Sequence, residues 1–324
     1  MTDQERYRAA FAVRAPEQAV RRALEKNSAK SRRRRTVPGA LLAAALIGAL
    51  LITSVSAEIN SGAVSNLLAP MFGSARTELL EEIGRPVGAS VSADGYTITA
   101  EAITGDRHSL SLTFSIVRED GQPIPEHASF FSWGADALDG GGSAINSWEP
   151  DPDDPSRARL YQSYSVNRQI SRTIKVSFAQ LYTGFDETNQ PVVVAEGPWE
   201  LSFTRRYPDT TQEISAKGMA FTDASAHEYT ISKLTISALG FYVKGTLPYS
   251  EDEPRSSGLS AYVTLADGTT VEMGDDSLGL SSSGEDRPVK FHWMAYYQGE
   301  TGPILISPED IVSITLCGTT IPID

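Results

Sequence analysis

The sequence predicts a mainly β protein: two immunoglobulin-like β-sandwich domains outside a membrane, carried on a helical stalk, one transmembrane helix and a basic helical cytoplasmic arm. Three observations predict it. Four consecutive arginines, Arg32, Arg33, Arg34 and Arg35, are followed after Thr36 by 21 uncharged residues, Val37 to Ala57. From Ala89 onward, apolar residues recur at every second position in short runs, the period of a half-buried strand. Asp-Gly pairs and loops rich in Gly and Pro separate these runs at the spacing of a β-sandwich.

The first element, residues 1–36, is an arm with helical spacing in two pieces. Tyr7 and Phe11 stand at i, i+4 on one face. Pro16 interrupts and suits the first turn of a second helix, where Glu17 and Gln18 are favoured. Val20, Ala23 and Leu24 then repeat at helical spacing, with Arg21, Arg22 and Lys26 facing elsewhere. So short a segment buries no core of its own. Its apolar stripe needs a partner or a membrane surface.

The second element, residues 37–57, is long enough to cross a hydrocarbon core of about 30 Å at a rise of about 1.5 Å per residue. The arm holds eleven of the chain's 28 Lys/Arg and four of its 41 Asp/Glu, a net charge of +7, and the remainder carries −20. Positive flanks stay cytoplasmic, so the N-terminus is inside and 267 residues lie outside. A cleaved signal peptide is the competing reading, since Val55-Ser56-Ala57 resembles a cleavage site and paired arginines suit a twin-arginine signal. The long basic segment and the long apolar run both favour an anchor. An acidic exterior repels nucleic acid, and the arm's place beside the apolar run assigns its charge to the inner leaflet.

Residues 58–84 form the third element. Leu67, Leu68, Met71 and Phe72, then Leu79, Leu80 and Ile83, have helical spacing, broken at Pro70 and Gly73. They predict a membrane-proximal stalk packed on the first outer domain. Gly84-Arg85-Pro86 ends it.

Residues 85–206 and 207–324 are the two β domains. In the first, Tyr96, Ile98, Ala100 and Ala102, and then Leu110, Leu112, Phe114 and Ile116, alternate with polar residues. Further strands are expected at 128–133, 159–166, 173–181 and 199–205, with Gly140 to Gly142 and Glu149 to Pro155 as loops. In the second, strands are expected at 213–222, 228–237, 240–247, 260–265, 270–273, 289–297 and 312–316. Asp267-Gly268 joins two of them as a hairpin. The boundary falls near Tyr207-Pro208-Asp209-Thr210.

No catalytic constellation stands out, and no enzyme is expected. Cys317 is the only cysteine, which excludes an internal disulfide or a cysteine-based zinc site, and its apolar surroundings read as a core strand. His108, His127, His227 and His292 have no ligand spacing between them. Asp151, Asp153 and Asp154 sit among prolines without the glycine of a calcium loop, so they read as a solvated acidic loop. Trp133, Trp148, Trp199 and Trp293 read as core residues, with a sugar-stacking platform as the other reading. No cofactor and no metal are expected.

Several segments carry a family resemblance. In the arm they are Tyr7-Arg-Ala-Ala-Phe11, Ala15-Pro16-Glu17 and Val20 to Leu24. Outside they are Asp94-Gly95-Tyr-Thr-Ile-Thr, Leu110-Ser-Leu-Thr-Phe-Ser-Ile and Gly197-Pro-Trp199-Glu-Leu-Ser-Phe203. With this layout the chain resembles the anti-sigma-factor-like single-pass membrane proteins of Gram-positive bacteria. The resemblance implies a regulator whose arm holds an extracytoplasmic-function sigma factor through Tyr7, Phe11, Pro16, Val20 and Leu24, and whose outer domains sense an envelope ligand or protein. The arm has neither His nor Cys, so a zinc-based redox switch is excluded. The alternative from a different class is a cell-surface structural or ligand-binding module without a regulatory role, its arm only a topogenic signal.

Overall fold

The computed structural model describes residues 63–73, 77–135, 142–248, 258–281, 287–300 and 302–323. The arm, with Tyr7, Phe11, Pro16, Val20, Leu24 and Arg32 to Arg35, lies outside the described residues, as does the apolar run 37–57. Among the described residues, no helix is long and apolar enough to cross a membrane. The described chain is mainly β, as the period-2 alternation requires.

It opens with two helices, α1 (Ala63–Phe72) and α2 (Thr77–Ile83). Of the two expected breaks, the one at Pro70 is absent, since it sits inside the last turns of α1, and the one at Gly73 is present, its φ of +75° ending the helix in the left-handed region. A proline so near the C-terminus removes one helical hydrogen bond without stopping the turn. The Ser65 amide at the start of α1 donates to a Glu81 carboxylate oxygen of α2 at 2.9 Å, which ties the pair together.

Among the described residues the N-terminal β module has eight strands: β1 (Arg85–Ala93), β2 (Tyr96–Gly105), β3 (Ser109–Arg118), β4 (Ser129–Ala135), β5 (Gly142–Pro150), β6 (Arg157–Val166), β7 (Thr173–Phe185) and β8 (Pro191–Thr204). They make a five-stranded sheet in the order β1-β2-β3-β6-β5 and a three-stranded sheet β4-β7-β8. One core lies between them. Phe114 of β3 meets Phe178 of β7 edge-on with ring centres 5.3 Å apart. Trp199 is fully buried there, and its indole N–H donates to the Tyr96 carbonyl at 3.1 Å.

Among the described residues the C-terminal β module has ten: β9 (Gln212–Ile214), β10 (Ala220–Thr222), β11 (Glu228–Ile236), β12 (Gly240–Leu247), β13 (Ala261–Leu265), β14 (Thr270–Ser281), β15 (Val289–Gln298), β16 (Pro303–Ile304), β17 (Ile311–Leu316) and β18 (Thr319–Pro322). Here one continuous sheet, β10-β11-β12-β15-β14-β13-β17-β18, curls over a single core. The strand expected across 213–222 divides into β9 and β10 around Gly218, and both pieces pair with β11. Strand β14 runs eight residues beyond the expected Met273, through a bulge between Asp275 and Ser277.

Two further expectations change. Gly142 and Glu149-Pro150 belong to β5, an edge strand rather than loop. Asn146, Ser147 and Glu149 are exposed and Trp148 packs on the core only in part, so residues 146–149 carry no run of alternating apolar positions. The stalk helices pack on more than the first module. Val64, Leu68, Phe72, Leu80 and Ile83 bury themselves against Ala102 of β2 and also against Ala238, Leu239 and Leu305 of the C-terminal module. The helix pair is thus a wedge seated in the joint.

Candidate ligand cleft at the module joint

Alternation in β3 and β6 sends Leu110, Leu112, Phe114, Leu160 and Tyr164 into the core. It sends Ser109, Ser111, Ser163 and Ser165 to the opposite face. Antiparallel register places Ser109 opposite Ser165 and Ser111 opposite Ser163, with the last two hydroxyls 3.1 Å apart. The sequence presents this face as solvent-facing, yet Ser111 and Thr113 are buried. Helix α1 covers one end of it: the Thr113 hydroxyl donates to the Leu67 carbonyl at 2.8 Å.

Beyond the helix the same face forms the floor of a cleft of about 500 Å³. Pro70, Met71 and Phe72 at the end of α1 make one wall. Leu239, Met294 and Tyr296 of the C-terminal module make another. Ser147 and Glu149 of β5 stand at the exposed side, where the Tyr161 hydroxyl donates to Glu149 at 2.8 Å. Burial, and then the adjacent Glu149 carboxylate, push the Tyr161 phenol up to about 12, while the neighbouring Arg159 pulls it down. Among the described residues that line the cleft, Glu149 is the sole carboxylate and there is no Lys, Arg or His. Both modules and the helix wedge therefore meet on one cavity.

A polar joint lies beside it. Asp106, in the turn between β2 and β3, accepts the backbone amides of His108 at 2.7 Å and Ser109 at 2.6 Å, and the Ser237 hydroxyl of the C-terminal module at 2.5 Å. Burial raises its carboxyl above the usual range against the pull of these donors. Tyr297 donates to the Ser237 carbonyl at 2.8 Å. His108 lies flat on Tyr242 with ring centres 3.9 Å apart, and burial lowers its pKa against the raising effect of Asp106.

The other sequence candidates scatter. His227 bonds Asp223 through Nδ1 at 2.9 Å. Burial raises the Asp223 carboxyl, but the His227 and Ser225 amides, the His227 ring and the Tyr229 hydroxyl outweigh it and hold it below the usual range. The carboxylate thereby clamps its own loop. His292 is half-buried and its pKa is lowered, first by burial and then by His108. His127 is exposed at a positive φ of 60°. Asp151 and Asp154 turn their oxygens onto the amides of residues 153, 154 and 156, and Asp154 also pairs with Arg157 at 2.9 Å. Among the described residues no group of three His, Cys, Asp or Glu is placed to hold a metal ion.

Trp199 and Trp293 are buried in different cores, and Trp148 packs on the first of them beside Phe130, so the four tryptophans form no common platform. Cys317 is not in a strand. It occupies the first position of the β17–β18 turn with φ +47°, followed by Gly318 at +84°. Two positive φ values define a type I′ hairpin turn, and Cys317 takes the place where Asn is preferred. Sequence reasoning missed the cleft because its hydroxyl floor has the alternation of a solvated face; the available signal was the preference for serine over charged residues there.

No family model matches the chain, and no curated protein matches it. Among solved structures it is similar to a conserved domain protein from Bacillus anthracis at 9% identity, over 72% of this chain and 76% of that one, with a TM-score of 0.46.

Proposed function

We propose that the chain is a single-pass membrane regulator of the anti-sigma-factor-like kind, with its N-terminus cytoplasmic and its β modules outside as the sensing part. One observation carries this reading. The helix pair that follows the apolar run in sequence is buried against both β modules at once, through Ala102 on one side and Ala238, Leu239 and Leu305 on the other. A change in how the modules meet changes the seat of α1, and with it the segment leading to the membrane. An inert spacer needs no such shared core. Two immunoglobulin-like sandwiches fit this reading: facing sheets make up the N-terminal module, and a sheet folded over its own core makes up the C-terminal one.

The arm supplies the output. Tyr7, Phe11, Pro16, Val20 and Leu24 would dock in a sigma-factor groove as a helix-in-groove contact. Truncating an anchor of this type costs about 2 kcal/mol or more, about a 30-fold loss of affinity. The test is Phe11→Ala in the intact chain. Transcription from the promoters of a co-encoded sigma factor should rise while the protein remains at normal abundance in the membrane. Unchanged transcription, with no binding of a peptide of residues 1–36 to that factor, overturns the regulator.

A second reading is favoured by the β7–β8 hairpin. Phe185, Val192 and Val193 are exposed near its tip. Apolar residues displayed together on a protruding hairpin suit a surface module that binds a wall polymer or another protein. Loss of such binding in Phe185→Ser, with arm variants silent, would establish it.

A further inference from the structure

We propose that the joint cleft is a binding site for an uncharged ligand that combines an apolar ring or chain with hydroxyl or amide groups. This deepens the sensing role above and rests on it for its cellular meaning. Size comes first: about 500 Å³ lies within the range that holds a small molecule. The walls come next. Met71, Phe72, Leu239 and Met294 offer apolar surface, and methionine side chains adapt to irregular shapes. Tyr296 adds an aromatic side chain to the wall, suited to an aryl group or the apolar face of a sugar.

The floor sets the polarity. Ser109, Ser111, Ser163 and Ser165 are hydroxyls, each able to donate and to accept, so they match ligand groups that do both. Charge is selected against. An anion would enter a cleft whose described lining holds no cation, and burying an unpaired charge is costly. A cation would find only Glu149, whose carboxylate already accepts the Tyr161 hydroxyl, with Arg159 close to that same phenol. A ligand in this cleft touches the end of α1 and both modules together. It therefore reports directly on the wedge that leads to the membrane.

The probe is 4-nitrophenyl β-D-glucopyranoside, an uncharged aryl glycoside, titrated against the full chain in lipid nanodiscs and followed by ligand-detected NMR. D-Glucose alone and 4-nitrophenyl phosphate are the comparison arms. The glucoside should saturate and bind about tenfold more tightly than either comparison probe. Ser163→Met raises the floor and Tyr296→Ala removes the aromatic wall; each should weaken the glucoside about fivefold or more while the melting temperature confirms a folded chain. Equal or tighter binding of the phosphate ester or of glucose overturns the ligand class. So does the absence of saturable glucoside binding by the folded chain. Unchanged affinity in either variant overturns the site. The arm assay reads transcription and this one reads binding, so failure of the regulator reading and failure of the cleft are told apart.

Discussion

The Ser237 hydroxyl of the C-terminal module donates to the Asp106 carboxylate of the N-terminal module at 2.5 Å, and two backbone amides complete that carboxylate's shell. It is the clearest polar bond between the modules, and it is buried. Removing one donor from a buried carboxylate costs about 1–3 kcal/mol, more when the group is charged. Ser237→Ala also removes the acceptor of the Leu239 amide, which sits in the helix-wedge core.

Asp106 gives the joint a pH dependence of definite sign. Burial holds its carboxyl above the ordinary value of 3.8, so the folded chain binds this proton more tightly than the unfolded chain does. The stabilising contribution is complete below 3.8 and is lost as pH rises through the raised folded value. Asp209 and Asp223 are held below their ordinary value and contribute in the opposite sense, with stability lost only as pH falls below 3.8. His108 and His292, whose pKa values burial lowers, add stability as pH rises toward 6.5, so the Asp106 contribution is read by difference: from about pH 4 to about pH 8 the urea midpoint of Asp106→Asn should rise relative to that of the unaltered chain, changing the slope. A slope unchanged by Asp106→Asn would assign it to another group.

The helix wedge predicts a shared loss. Leu68 is fully buried between α1, α2 and both modules, so Leu68→Ala should cost about 2–5 kcal/mol by lost transfer and cavity terms. Gly84→Ala tests the same seat from its edge. A Cβ there would lie 2.6 Å from the Leu80 carbonyl oxygen and 2.6 Å from a Val64 methyl. Both variants should lower the urea midpoint. A loss of under about 0.5 kcal/mol for Leu68→Ala would mean the helices rest on the modules without being part of their core.

What was legible followed from periodicity. Strands β2, β3, β6 and β12 carry buried apolar residues on one face, and the alternation located them within a few residues. Helices α1 and α2 were legible for the same reason at period 3.6. Strand β5 was not, because an exposed edge needs no alternation, and β14 was cut short by its bulge. The cleft was hidden at a deeper level. Ser111 and Thr113 are polar in the sequence and buried in the fold, and α1, which covers Thr113 through Leu67, lies 46 positions away along the chain. Polarity marks a face that is not core; it does not distinguish solvent from a joint.

Cys317 offers a local test of turn chemistry. A non-glycine residue at positive φ carries strain of about 1–2 kcal/mol that Asn tolerates better. Cys317→Asn should raise the melting temperature in reducing buffer, and Cys317→Val, β-branched and intolerant of this backbone, should lower it. The reverse order would show that the thiol's half-buried packing and its weak 3.5 Å contact from the Ser260 amide outweigh the turn.

The orientation argued from Arg32 to Arg35 is tested with single cysteines placed on a Cys317→Asn background, which removes the only native thiol. A cysteine at Ser28 should resist a membrane-impermeant thiol reagent in intact cells, the outcome expected if the four arginines hold that side at the anionic inner leaflet. A cysteine at Ser281, exposed at the end of β14, should label. Labelling at residue 28 with protection at residue 281 reverses the topology. A mature chain that lacks residues 1–57 replaces the anchor with a cleaved signal. In that case no arm remains to hold a sigma factor, and the wedge and cleft become parts of a secreted binding protein.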